Sequence, residues 1–206
     1  MTINGLLEHR DQLVRALDVL GSTSCERLVE LLAGCHRDGQ VVAVAGNGGS
    51  AATAGHLVAD WSRQGGLHML DLCSCVSLVT ALGNDEGFDS VFADQVERFL
   101  NSSDVLVLLS TSGRSPNLLR AAAVARVRAV TVVALTGRPM SPLGELADIE
   151  LCVQVSVPEV AEDVHSAIGH AIARELRRCR IEQFATGNGH HWGAGADAAE
   201  LARPVR

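Results

Sequence analysis

Asp104-Val105-Leu106-Val107-Leu108-Leu109-Ser110-Thr111-Ser112-Gly113-Arg114-Ser115-Pro116-Asn117 is the stretch that decides the fold. An uninterrupted apolar run of this length has no polar face, so it reads as a strand buried on both sides. It ends in a hydroxyl-rich turn. Pro116 then opens a helix reaching Val127, standing in the first turn where its missing N–H costs nothing. A buried strand passing directly into a helix is the unit of a parallel α/β sheet.

Working outward, the same alternation repeats. Gln40–Ala45 is a short apolar run ending at glycine, followed by a helix over Ser50–Gln64. Met69–Leu72 is a weaker strand candidate, Asp85–Leu100 a helix, and Ala129–Leu135 and Ile149–Val155 two further strands. Glu159–Phe184 closes the pattern as a long helix. Strands alternating with helices predict a three-layer, doubly wound parallel sheet in the manner of flavodoxin. Two helices precede it: Thr2–Leu20, with Leu6, Leu7, Leu13, Leu17 and Leu20 near one face, and Cys25–His36 after the Gly21–Ser24 break. They exceed what a minimal sheet domain needs and read as an oligomerisation element spanning residues 1–38. Residues 1–184 are expected to form one domain. The Gly- and Ala-rich stretch 185–206, with His190 and His191, is expected to be a mobile tail.

Composition narrows the function. Of 206 residues 47% are hydrophobic, yet only 3% are aromatic and Tyr is absent, so Ala, Val, Leu and Ile must fill the core. A net charge of −7 argues against binding a nucleic-acid backbone. All 17 cationic residues are Arg, which excludes a lysine Schiff base. No apolar run is long enough to span a bilayer and no signal-peptide pattern opens the chain, so a cytoplasmic location is expected. The six cysteines are scattered, and Cys73 and Cys75 read as small buried residues rather than half of a metal site.

Two strand-to-helix junctions carry the chemistry. Gly46-Asn47-Gly48-Gly49-Ser50 lets backbone approach a ligand, and Ser50 can cap the next helix and donate to an oxyanion. It lacks the spacing of a dinucleotide fingerprint and the lysine of a Walker loop. The second junction, Ser110–Ser115, sets four hydroxyls in six residues at a helix N-terminus, an uncharged cradle for a phosphate. Arg114 is open to two readings, touching the phosphate or facing solvent.

Together these loops resemble the sugar isomerase (SIS) fold, and the details are similar to the sedoheptulose 7-phosphate isomerases. That family shows a Gly-Asn-Gly-Gly-Ser loop with a His in the following helix, a Gly-Asn-Asp segment, a Ser-Thr-Ser-Gly-x-Ser loop, and a last helix with Gln-Glu-x-His and a further His. The counterparts here are Gly46–Ser50 with His56, Gly83-Asn84-Asp85, Ser110–Ser115, and Glu162-Asp163-Val164-His165 with His170.

The resemblance implies an aldose–ketose isomerase working through an enediol, with sedoheptulose 7-phosphate as substrate and D-glycero-D-manno-heptose 7-phosphate as product. It assigns Asp60 as base and His170 as its acid counterpart. It assigns Asn47, Gly48, Ser50, Asp85, Ser110, Thr111, Ser112, Ser115 and Glu162 to the substrate. A divalent metal, expected to be zinc, would fall to His56, Asp60, Glu162 and His170, two imidazoles and two carboxylates. It also implies a homotetramer with sites at subunit interfaces. Two positions depart from the family: Asp60 stands for Glu, one methylene shorter, and Glu162 for Gln, adding charge. Competing readings are a non-catalytic phosphosugar-binding or DnaA-interacting SIS protein, and an isomerase of another ketose phosphate.

Overall fold

A computed structural model describes residues 4–185. Helices α1 (Asn4–Val19) and α2 (Ser22–Asp38) precede β1 (Val41–Gly46), which leads into α3 (Gly49–Asp60) and a π-helical turn, Trp61–Gly65. Then follow β2 (His68–Asp71), α4 (Val76–Asp85), a 3₁₀ turn at Phe88–Ser90, α5 (Ala93–Phe99), β3 (Val105–Ser110) and α6 (Pro116–Val127). The chain continues through β4 (Thr131–Thr136), α7 (Pro142–Leu146), β5 (Ile149–Cys152) and α8 (Pro158–Ala185). The expected tail, with His190 and His191, lies outside the described residues.

The five strands form one parallel sheet in the order β2-β1-β3-β4-β5. Side chains alternate across it, and both faces are buried. Val42, Val44, Val105, Val107, Leu109, Val133 and Leu135 face a layer that includes Leu28, Leu32, Leu57, Trp61, Val164 and Ile168. Ala43, Ala45, Leu106, Leu108, Val132 and Ala134 face Leu82, Val96, Leu118, Ala121 and Leu143. This is the expected three-layer sandwich. Strand order reverses between β1 and β3, so the crevice for a ligand opens past Gly46 and Leu109, which are paired in register.

Three expectations need correction. The helix expected over Asp85–Leu100 is divided: α4 ends at Asp85, Gly87 at φ 85° forces a break, and α-helix resumes only over Ala93–Phe99. Asp85 therefore sits in the last turn of α4 and caps no helix start. The β5 strand stops at Cys152 because Gln154 takes a positive φ of 53°, which no extended strand tolerates. Cys75 is exposed, not buried; the Ser77 hydroxyl and then the Leu78 N–H lower its thiol pKa, whereas burial pushes the Cys73 thiol up to about 11. All six cysteines are free. No helix among the described residues is long and apolar enough to cross a membrane.

Candidate active site

The first loop is shaped by close approach. A side chain at Gly46 would put its Cβ 2.6 Å from the Ser50 carbonyl, and Gly48 has φ 56° and ψ −124°. The helix consequently starts at Gly49 with Gly48 as N-cap, so Ser50 lies inside the first turn, 4% exposed, and is not the cap the sequence suggested. Asn47 is likewise committed: its side-chain amide exchanges hydrogen bonds with Asn117, Nδ2 donating to Asn117 Oδ1 at 3.0 Å and Oδ1 accepting from Asn117 Nδ2 at 2.9 Å. Asn117, 2% exposed, was missed in the sequence, where it reads only as a polar residue in a helix's first turn.

The second loop curls over its own first serine. Ser110 is 4% exposed; its Oγ accepts from Gly113 N–H at 3.1 Å and lies 3.4 Å from Ser115 Oγ. Ser112 Oγ accepts from Arg114 N–H at 3.2 Å. Ser115 is the N-cap of α6 but its side chain makes no capping bond, and Thr111, Ser112 and Ser115 are only half-buried. Arg114 is exposed. The loop thus places hydroxyls and the α6 N-terminus at the mouth of the switch-point crevice, a setting suited to a phosphate. Asp85 is exposed and accepts from Asn84 Nδ2 at 2.7 Å.

The candidate acid–base residues lie on a seam between α3 and α8, which run parallel. Glu162 abuts Gly49, Thr53 Oγ1 is 3.3 Å from Ser166 Oγ, and His56 meets His170. Glycine sits at both tight points: a Cβ on Gly49 would collide with the Glu162 carboxylate, and one on Gly169 with Leu57. Trp61 Nε1 anchors the seam by donating to the Gly169 carbonyl at 3.0 Å. At its end the Nε2 atoms of His56 and His170 are 2.9 Å apart, with rings at 90°, and Asp60 Oδ2 lies 3.5 and 3.7 Å from them. The shorter carboxylate at Asp60 therefore already reaches both imidazoles.

Three ligand atoms on a tetrahedral zinc would stand about 3.3 Å apart, given metal–ligand bonds of about 2.0 Å. The observed separations of 2.9, 3.5 and 3.7 Å bracket that value, so His56, Asp60 and His170 fit a divalent cation. Glu162 does not join the cluster. Eight residues of α8 separate it from His170, a rise of about 12 Å, so a shared helix face does not bring the two carboxylates together.

His165 points elsewhere entirely. It is fully buried and its ring nitrogens make no side-chain hydrogen bond; burial pulls its pKa down to about 4, opposed by a contact with the Thr136 backbone. The unfolded chain then binds the proton more readily than the folded one, so stability present at neutral pH is lost as pH falls from about 6.5 towards 4. The expected loss is about 3 kcal/mol. Urea unfolding at pH 7, 5.5 and 4 checks it: His165→Leu should flatten the slope relative to the unsubstituted protein.

A 2-1-3-4-5 parallel sheet with two strand-to-helix loops at its switch point and helices packed ahead of it is the architecture of SIS domains, and the SIS domain family matches residues 8–137. A phosphoheptose isomerase of Bradyrhizobium sp. (strain ORS 278) is 36% identical over 185 residues, covering 87% of this chain and 93% of that one. One from Streptomyces coelicolor is 37% identical over 198 residues, covering 93% and 83%. The solved phosphoheptose isomerase of Neisseria gonorrhoeae superposes with a TM-score of 0.79 at 31% identity, covering 85% and 96%. The chain belongs to the phosphoheptose isomerase family of SIS-domain proteins.

Proposed function

We propose that this isomerase interconverts D-sedoheptulose 7-phosphate and D-glycero-D-manno-heptose 7-phosphate. The observation that carries the reading is the convergence of His56 and Asp60, on the helix launched from one of the two switch-point loops, with His170 of α8. The phosphate is assigned to the Ser110–Ser115 loop, with Thr111, Ser112 and Ser115 offering hydroxyls and Ser110 holding the loop's shape. Backbone at Gly48, and the side chains of Asp85 and Glu162, are assigned to the sugar.

Isomerisation moves a proton between neighbouring carbons. Asp60 takes the proton from the hydroxyl-bearing carbon beside the ketose carbonyl while His170 supplies one to the carbonyl oxygen, giving the enediol. Asp60 then returns its proton to the former carbonyl carbon while His170 takes one back from the other enediol hydroxyl, so both groups end as they began. His56, hydrogen-bonded to His170, fixes that ring's orientation. A divalent cation, of which zinc suits the donor set, would be held by His56, Asp60 and His170, and when bound would polarise the substrate oxygens.

The test is incubation with sedoheptulose 7-phosphate after chelation and after zinc addition. Aldose product is expected; no product under either condition would sink the assignment.

A homotetramer with sites completed at subunit interfaces is part of the same proposal. Leu6, Leu7, Val14, Leu17 and Val19 are exposed on α1, and a groove of about 400 Å³ between α2 and α8 is lined by Val29, Ile168 and Ile172. Light scattering should give four times the chain mass, and a stable monomer would contradict it.

A further inference from the structure

The Asn47–Asn117 pair bridges the two loops that the proposed reaction needs, and nothing in the reaction itself calls for it. Asn47 lies one residue past β1 and its carbonyl accepts from Ala51 N–H at 3.3 Å, in the first turn of α3. Asn117 lies in the first turn of α6, and its Oδ1 accepts from Leu118 N–H at 3.0 Å. That backbone bond fixes which way the Asn117 amide faces: Oδ1 is an acceptor, so Nδ2 is turned to Asn47 Oδ1. The two amides then meet as a matched donor–acceptor pair, 2.9 and 3.0 Å, with the Asn117 end almost wholly out of solvent. A buried pair of this kind is stiff, because losing either partner strands the other without water to replace it.

We infer that Asn117 is a positioning residue that sets the spacing between the phosphate loop and the helix carrying His56 and Asp60, acting through Asn47. Each loop enters from its own strand and each helix packs on its own face of the sheet. A side-chain strut at the crevice mouth therefore couples two loops beyond the last paired residues of their strands, Gly46 and Leu109.

For its kinetic readout the inference rests on the isomerase reading. Asn47→Ala, Asn117→Ala, their double variant and Asn117→Asp are assayed with sedoheptulose 7-phosphate. Losing the strut displaces both loops, so each single alanine should lower kcat/KM about a hundredfold, shared between a fall in kcat and a rise in KM. The double variant should fall within about threefold of the worse single, because one interaction cannot be lost twice; a multiplicative loss overturns the strut. Asn117→Asp keeps the oxygen that accepts from Leu118 N–H but loses the donor to Asn47. Wild-type kinetics there would reduce Asn117 to a helix cap, and a change in KM alone would be charge repulsion of the phosphate; either overturns the inference. If the buried Asn117 variants do not fold, Asn47→Ala at the half-buried end reads the same split, and an unchanged kcat overturns it. An unsubstituted protein without turnover would defeat the isomerase reading alone. The strut is then judged from melting temperatures of the three alanine variants, where additive losses overturn it and non-additive losses support it.

Discussion

Replacing His170 by alanine is expected to lower kcat/KM for the sugar phosphate about a thousandfold while moving the melting temperature by no more than about 2 °C. The kinetic size follows from the worth of a positioned acid–base group, about 10² to 10⁴ in rate. The small stability change follows from the surroundings. The His170 side chain is 53% exposed, and its ring meets another exposed imidazole, so truncation opens no cavity and strands no buried group. Asp60→Asn should lose as much rate, because it keeps the shape but cannot accept the carbon-bound proton. Glu162→Gln separates the two roles given to that residue. Its carboxylate abuts Gly49, two helical turns from His170, so zinc affinity should stay at the unsubstituted value while KM moves. Calorimetric zinc titration of Glu162→Gln and His170→Ala, beside kcat and KM, checks the set; His170→Ala at near-normal kcat/KM would remove His170 from the mechanism.

The strands were legible because burial on both faces leaves an unmistakable apolar run: Val105–Ser110 lies within one residue of its expectation, and helix α6 coincides with it. The region from Val76 to Phe99 was not. Val76, Val79, Thr80 and Ser77 are weak helix formers, so α4 gives little local signal and exists by packing Leu82 into the core. Of the site, His56, Asp60 and His170, named by the family pattern, do come together. Glu162 shows where that pattern stops: eight residues of helix set it about 12 Å from His170 along α8, and no one-dimensional pattern records that α3 runs alongside α8. Asn117 was hidden for the same reason, as its partner is seventy positions away. Ser50 looked like a cap because serine commonly is one, but the positive φ of Gly48 starts the helix a residue earlier.

Gly113→Ala is expected to raise KM about a hundredfold and to destabilise the fold by about 2 kcal/mol or more. Gly113 has φ 63°, a conformation costing an L-residue roughly 1–2 kcal/mol. Its added Cβ would also sit 2.3 Å from Ser141 Oγ and 2.4 Å from Ser141 Cβ, far inside contact distance. Ser141 cannot simply step aside: it is 2% exposed, and its Oγ caps α7 by accepting from Gly144 N–H at 3.1 Å. The loop is held from that side too, since the Gly113 carbonyl accepts from Leu143 N–H at 3.0 Å. The strain must therefore move the loop itself, and with it the Gly113 N–H that fixes Ser110 Oγ. A shift near an ångström is enough for the kinetic loss. The clash and the backbone cost are separable. In Gly113→Ala with Ser141→Gly the colliding atoms are gone while φ stays unfavourable, so KM should recover most of the way and stability should not. Recovery of neither would mean that the loop's shape rests on the backbone conformation of Gly113 alone, and an unchanged KM in the single variant would take the phosphate away from this loop.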